Sequence, residues 1–285
     1  MSLNLNVRGL KPSPTLAIQA ECEALARQGR RVLRLGLGQS PFPVPEPVVE
    51  TLRANAHRKE YLDVRGLQAL REAVAEYHRR RHGVPCAPDD VLVAPGSKEL
   101  MFLLQVAYYG ELVVPTPAWV SYVPQAQIVG RRVTLLPLAG RADGWRLQPG
   151  RLEALCAEDP DRPRILILNY PSNPTGVTFS ADELASIAEV ARRYRIVVLS
   201  DEIYGELHHQ GRHVSIARYY PEGTIISGGL SKWCGAGGWR LGTFAFPPAM
   251  APLRDAMAAI ASETYTSTSA PIQYAAVRAF QGGLE

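Results

Sequence analysis

The sequence lacks the features that define several classes of protein. No apolar run approaches the length needed to span a bilayer, and the N-terminus has no apolar core of a secretory signal peptide. The 4 cysteines are scattered and form no CxxC pair. Free thiols suit a reducing compartment, so the chain is predicted to be cytoplasmic, without disulfides and without a membrane partner.

Patterns for metal and nucleic-acid binding are also missing. The cysteines show no metal-ligand spacing, and no metal site is predicted. Basic runs at 78–83 and 191–195 fall where helices are predicted to end, and the net charge is only +4. Without an RNP, helix-turn-helix or zinc-finger pattern, these runs are interpreted as solvated helix ends, and no nucleic-acid partner is expected.

The composition is that of an ordinary globular chain. Of its 285 residues, 46% are hydrophobic and 20% are charged, which is enough apolar material for a substantial core. No internal repeat or low-complexity linker interrupts the chain. The proline-rich residues 1–45 are predicted to form an arm that packs on a main body at 46–285.

Apolar segments alternate with amphipathic helices. Strands or extended segments are predicted at 32–38, 90–96, 111–117, 133–138, 164–171, 196–202, 224–229 and 241–246. Helices are predicted at 14–29, 45–58, 66–83, 97–109 and 180–195. The last of these begins with a Ser180–Glu183 capping box. The alternation predicts an α/β fold of three layers, α/β/α, with a mostly parallel central sheet.

Polar, glycine-rich segments follow several of the predicted strands. In order along the chain they are PGSK, NYPSNPTG, SDEIY and SGGLSK. Because ligands of parallel sheets gather at the carboxyl ends of the strands, these segments predict a ligand site at one edge of the sheet.

Two of these segments carry side chains suited to holding a ligand. In NYPSNPTG, prolines and a glycine stiffen the loop that presents Asn173, and a well-made turn without a ligand is the alternative. In SDEIY, Asp201 follows the apolar strand IVVL, where a buried carboxylate needs a cation or a strong donor. Tyr204 could face the same ligand, while a helix N-cap is the alternative role of Asp201.

The segment SGGLSKWCGAGGWRLG, at 227–242, combines a lysine and an arginine with many glycines. It is not a P-loop, because Lys232 is followed by Trp, and GAGGWR lacks the spacing of a dinucleotide fingerprint. Small residues let a flat ligand lie against the backbone. A lysine amine in such a pocket can form a Schiff base with a carbonyl, and Arg240 suits a phosphate.

Together these residues are what pyridoxal phosphate (PLP) requires, namely a Schiff-base lysine and a carboxylate partner for the ring nitrogen. The motifs NYPSNPTG, SDEIY and SGGLSKWCGAGGWRLG resemble those of the class I and II aminotransferases of PLP fold type I, which are aspartate aminotransferase-like. The resemblance runs from about residue 12 to the end. It implies transfer of an amino group between an L-amino acid and a 2-oxo acid, in a homodimer with shared active sites.

The resemblance implies catalytic roles for three residues. Lys232 would form the Schiff base and carry the substrate proton, Asp201 would keep the ring nitrogen protonated, and Tyr204 would hydrogen-bond the ring hydroxyl oxygen. Asn173 would share the last role and would also contact the substrate, as would the backbone of Gly38.

The resemblance also implies the other cofactor contacts. Trp119, in PTPAWVSY, would stack on the ring, and Tyr61 would reach the phosphate in the partner subunit. The residues that would bind the phosphate within one chain are Arg240, Ser231, Gly96, Ser97 and Lys98.

The family pattern usually extends further than this sequence. Family members continue into a C-terminal small domain of ~100 residues, which supplies an arginine for the substrate α-carboxylate, whereas this chain ends at Glu285. Residues 1–45 would then belong to the small domain, 46–285 would form the large PLP-binding domain, and the C-terminal small domain is expected to be absent. PLP binding with slow turnover is therefore expected. Two alternatives stay open: a PLP-dependent C–S or β-lyase of the same fold, and a catalytically incomplete PLP-binding domain.

Overall fold

A mixed β-sheet forms the centre of the structure, a computed structural model that describes residues 2–36, 38–140, 144–207 and 212–282. Its strands are β1 (Val91–Ala94), β2 (Glu111–Thr116), β3 (Val133–Pro137), β4 (Arg164–Asn169), β5 (Val197–Asp201), β6 (Thr224–Gly229) and β7 (Gly242–Ala245). Their order across the seven-stranded sheet is β1-β7-β6-β5-β4-β2-β3.

Most neighbouring strands are parallel. β2 pairs in parallel with β3 and β4, β4 with β5, and β5 with β6. β7 is the exception, because it runs antiparallel to both β1 and β6. Parallel neighbours need crossover connections, which helices commonly provide over the faces of the sheet. The prediction of a mostly parallel α/β sheet is therefore confirmed.

Helices cover the sheet on both faces. The α-helices of the described residues are α1 (Pro14–Arg27), α2 (Glu46–Asn55), α3 (Gln68–Tyr77), α4 (Ser97–Ala107), α5 (Tyr122–Ile128), α6 (Pro149–Ala157), α7 (Ala181–Arg193), α8 (Ala251–Ser262) and α9 (Ala270–Phe280), of which α1 contributes no residue to the core. The predicted capping box is present at the start of α7, where the Ser180 side chain accepts from Glu183 N and Glu183 Oε2 accepts from Ser180 N. No helix in the described ranges is both long enough and apolar enough to cross a bilayer.

Alternation along β4 shows how the sheet separates two cores. Ile165 and Ile167 belong to the cluster that contains residues of α4, α5 and α8, whereas Leu166 and Leu168 belong to the cluster that contains residues of α6 and α7. Successive strand side chains point to opposite faces, so a strand that is apolar at every position contributes to both cores. The three-layer α/β/α arrangement follows from this pattern.

The described part of the N-terminal region, predicted to be extended at 32–38, contributes no strand to the sheet. Residues 32–36 and 38 form no strand, and Leu37 lies outside the described residues. α1 contributes no buried residue, while Leu35 and Phe42 are largely exposed. The apolar run at 32–38 therefore finds no strand partner within the described part of this single chain.

Candidate functional site

Three of the predicted motifs meet where parallel strands end. Asn169, the last residue of β4, lies opposite Asp201, the last residue of β5, and Asp201 lies opposite Ser227 in β6. β1 and β6 both run antiparallel to β7, so β1 and β6 point in the same direction. The loop that follows β1 and leads into α4 therefore lies at the same edge of the sheet. The segments NYPSNPTG, SDEIY, SGGLSK and PGSK are thereby gathered at one edge of the sheet.

Asp201 is the buried acid of this edge, with 3% of its surface exposed. The phenol of Tyr122 donates a hydrogen bond to Asp201 Oδ2 over 2.5 Å. The other oxygen, Oδ1, is buried and has no hydrogen-bond partner. Burial raises the pKa of Asp201 to about 6, while the hydrogen bond from Tyr122 and the nearby backbone N–H of Ile203 act in the opposite direction. The site thus holds a carboxyl group with one oxygen satisfied and one available.

The side-chain amide of Asn169 connects the NYPSNPTG loop to β5. Asn169 Nδ2 donates to the backbone oxygen of Asp201 over 2.9 Å, and Asn169 Oδ1 accepts from Asn173 N over 2.7 Å. One side chain therefore fixes the position of Asn173 relative to Asp201.

Lys232 lies with two other predicted residues. Its Nζ donates to the backbone oxygen of Gly38 over 2.7 Å and lies 5.3 Å from the centre of the Tyr204 ring. These contacts join the loop after β6, the loop after β5 and the N-terminal segment. An ammonium in this position has one strong acceptor and an aromatic face within reach.

Arg240 lies against the start of α4. Arg240 Nη1 donates to Gly237 O over 2.8 Å and Nη2 to Pro95 O over 3.4 Å. Gly96 has φ +97°, and a Cβ placed on it would lie 2.1 Å from Arg240 Nη2. A side chain at this position would push the guanidinium away from the amides that begin α4, where an anion is favoured.

Lys98 and Trp119 flank this corner. Lys98 Nζ lies 5.3 Å from the centre of the Trp119 ring, and that ring meets Tyr122 edge-on at 5.2 Å. Burial lowers the pKa of Lys98, and the nearby Arg240 lowers it further. Two cations close enough to repel each other form a site suited to an anion.

The remaining predicted residues are placed as follows. Ser97 is the first residue of α4, and Ser231 is half-buried shortly after β6. Tyr61 is 88% exposed in the single chain, so its predicted contact depends on a second copy.

Sequence reasoning did not assign roles to Tyr122 and Asn169. Both belong to motifs that were singled out, at the end of PTPAWVSY and the start of NYPSNPTG. The signal that could have found them is the need of Asp201 for a donor. The sequence indicates that Asp201 needs a hydrogen-bond donor, but it does not indicate which residue is that donor.

Comparisons with known proteins agree with this arrangement. The family model for aminotransferase class I and II matches residues 30–285. The chain is 34% identical to the aspartate aminotransferase of Geobacillus stearothermophilus, over 100% of this chain and 73% of that protein. It is also 34% identical to the probable aspartate/prephenate aminotransferase of Thermus aquaticus, over 97% of this chain and 72% of that protein.

A solved structure shows the same fold. The aspartate aminotransferase of Thermus thermophilus with maleate superposes with a TM-score of 0.92 at 32% identity, covering 98% of this chain and 73% of that one. Family match, identity and fold agree over nearly the whole sequence. The chain therefore belongs to the class I and II aminotransferases.

Proposed function

We propose that the protein transfers an amino group between an L-amino acid and a 2-oxo acid, with PLP bound at the carboxyl edge of the sheet. The observation that carries this proposal is the buried Asp201 Oδ1, which has no hydrogen-bond partner. A buried acceptor left unpaired costs about 1–3 kcal/mol. The N–H of a protonated pyridine ring would satisfy it, and the negative charge of Asp201 would keep that ring protonated.

The corner at α4 fits the phosphate of the same cofactor. Arg240 offers a guanidinium, the start of α4 at Gly96 and Ser97 offers backbone amides, and Ser231 and Lys98 complete the proposed set. Burial is the main cause of the lowered pKa of Lys98, and a phosphate here would relieve the smaller contribution, which is repulsion from Arg240.

The remaining proposed contacts hold the ring. Tyr204 and Asn173 would hydrogen-bond the ring hydroxyl oxygen, and Trp119 would stack on the ring face. The Asn169 hydrogen bonds that link Asn173 to β5 would keep these groups in register with Asp201.

Lys232 is the proposed reactive residue. PLP supplies an electron sink that makes the substrate Cα–H acidic. The Lys232 amine would bind the cofactor covalently and, once displaced by substrate, would move the proton from Cα. Its bond to Gly38 O must break first, which would leave the Gly38 backbone beside the site, where the substrate is proposed to lie.

Amino transfer can be tested directly on the purified protein. With PLP added, a visible absorbance band is expected, and an amino acid that is a substrate should bleach it. Pyridoxamine phosphate and a 2-oxo acid are the expected products. Pyruvate and ammonia from a cysteine-type substrate, without pyridoxamine phosphate, would instead identify a lyase.

Gly96→Ala should weaken PLP binding by about 10- to 100-fold, because the new methyl would displace Arg240 and a hydrogen bond to a charged group is worth about 1.5–3 kcal/mol. PLP affinity is measured by absorbance titration. Gly83→Ala is the matched control, since Gly83 also has positive φ (+64°) but a Cβ there meets no atom within 4 Å. Equal affinities for the two variants would contradict the proposed phosphate site.

We also propose a homodimer in which Tyr61 reaches the phosphate bound by the partner subunit. Tyr61→Phe should weaken PLP binding by about tenfold, the effect of losing one hydrogen bond to a charged group. Tyr109→Phe is the control, because both tyrosines are 88% exposed in the single chain. Sedimentation of the parent protein should show a dimer, and a monomer with full PLP affinity would exclude the shared site.

A further inference from the structure

A second buried polar cluster lies next to the end of β5 and has no part in the proposed function. It consists of His82, Glu202 and His213, whose ligand-capable atoms all lie within 4.8 Å of one another. The side chains of Glu202 and His213 are 3% and 5% exposed, and His82 is also buried. Polar groups buried this deeply need strong partners.

The carboxylate of Glu202 is held in one orientation. Its Oε1 accepts from Ser200 Oγ over 2.7 Å and from Ser215 Oγ over 2.6 Å, with Tyr170 OH at 3.4 Å. Its Oε2 lies 2.7 Å from His213 Nε2. Carboxylates that bind metals are commonly fixed by hydrogen bonds of this kind, which leave one oxygen for the ion.

Two imidazoles complete the cluster. His82 ends the π-helical turn His78–His82 that follows α3. Its ring lies 5.6 Å from that of His213 at an interplanar angle of 88°. Nδ1 of each ring is buried without a hydrogen-bond partner. The cluster therefore combines an oriented carboxylate with two imidazoles, each of which has a buried Nδ1 without a hydrogen-bond partner.

We propose that His82, Glu202 and His213 form a binding site for a divalent transition-metal ion, with Zn²⁺ as the expected ion. Two imidazoles and one carboxylate are a common donor set for Zn²⁺, at bond lengths of about 2.0–2.2 Å. Such bonds place tetrahedral ligand atoms about 3.5 Å from one another. Glu202 Oε2 and His213 Nε2, now 2.7 Å apart, would therefore separate slightly, while any ligand atoms near the 4.8 Å limit of the cluster would draw closer. A water molecule would take the fourth position.

The sequence predicts no metal site because the three ligands come from separate segments. Only the fold brings the turn after α3, the end of β5 and the segment before Ser215 together. An ion here would link these segments. Since Glu202 follows Asp201 directly, the ion would brace the strand end that carries the buried acid of the neighbouring site. The protein should therefore be more stable with Zn²⁺ than without it.

The test uses untagged protein loaded with PLP, stripped of metal with a chelator and dialysed against Zn²⁺. About one ion per chain and a raised melting temperature are expected. His82→Phe, which keeps a ring in place, should weaken Zn²⁺ binding more than about 100-fold. Loss of a residue that only hydrogen-bonds a metal ligand already lowers metal affinity by about 10- to 100-fold. Ser215→Ala should show that smaller loss.

His78→Phe is the matched control. His78 is a buried histidine of the same turn but lies outside the three-residue group, so Zn²⁺ binding and the PLP absorbance should stay as in the parent. His213→Gln provides a second ligand variant should His82→Phe not fold. Failure of this test leaves the proposed aminotransferase function untouched, because PLP binding is read separately.

X-ray absorption of the Co²⁺-loaded parent protein gives a readout that needs no variant. Two imidazole nitrogens and a carboxylate oxygen are expected in the metal shell. A shell of water oxygens alone, no stoichiometric binding of Zn²⁺, or His82→Phe that binds as tightly as the parent would each overturn the proposal and leave the cluster as a hydrogen-bonded Glu202–His213 pair.

Discussion

Lys232→Ala is expected to abolish covalent attachment of PLP completely. The chain has lysines at 11, 59, 98 and 232, and the proposed covalent link requires the one that lies beside Tyr204 and Gly38. Borohydride reduction of the PLP-loaded parent, followed by peptide mass spectrometry, should place the cofactor on Lys232. In the variant the visible absorbance band should be missing, and proton transfer alone should account for a loss of about 10²–10⁴-fold in the rate of amino transfer.

Lys98→Ala is the control for this experiment. Lys98 lies at the proposed phosphate end of the site, where its amine is 5.3 Å from the centre of the Trp119 ring. Its removal should weaken PLP binding while leaving the covalent link on Lys232 intact. Cofactor attached to Lys98 in the parent would reverse the two proposed roles.

Asp201→Asn is expected to have the second largest effect. Asparagine keeps the shape of the side chain and can still accept the hydrogen bond from Tyr122. It carries no charge to hold the ring nitrogen protonated, so amino transfer should fall by about 10²–10³-fold, as when one preorganised electrostatic contact is removed from a catalytic site. The measurement is the rate at which an amino acid bleaches the absorbance of the PLP-loaded protein.

Asp90→Asn separates this effect from loss of a buried carboxylate in general. Asp90 is also buried, and its Oδ2 accepts from Ala87 N over 2.8 Å. It lies next to β1, before the strand rather than after it. The control should retain the parent rate. A rate for Asp201→Asn equal to that of the control would remove Asp201 from the proposed catalytic site.

Much of the fold could be predicted because its strands are short, apolar and separated by clear helical patterns. The strand at 196–202 is observed as β5 (Val197–Asp201), and that at 224–229 as β6 with the same bounds. Helices α5, α6, α8 and α9 were not predicted. The last two are rich in alanine, and small side chains blur the apolar spacing that marks a helix face. The antiparallel direction of β7 was not predicted either, because strand direction depends on the path of the connecting loop.

The candidate site shows the same limit. Residues at or shortly after strand ends, such as Asp201 and Lys232, could be identified because ligands bind at the carboxyl edge of a parallel sheet. The partner of Asp201 could not, since Tyr122 lies 79 residues away in sequence. The cluster of His82, Glu202 and His213 was missed for the same reason. Sequence spacing reports neighbours along the chain, whereas these contacts arise from packing between segments.

The antiparallel pairing of β6 and β7 has a mechanical consequence. Gly229 at the end of β6 and Gly242 at the start of β7 are partners across the ladder, so the loop between them begins and ends at one pair of neighbouring residues. Both Lys232 and Arg240 lie in this loop. The proposed covalent and ionic contacts to the cofactor therefore come from one loop, and a shift in the register of the β6–β7 ladder would displace both.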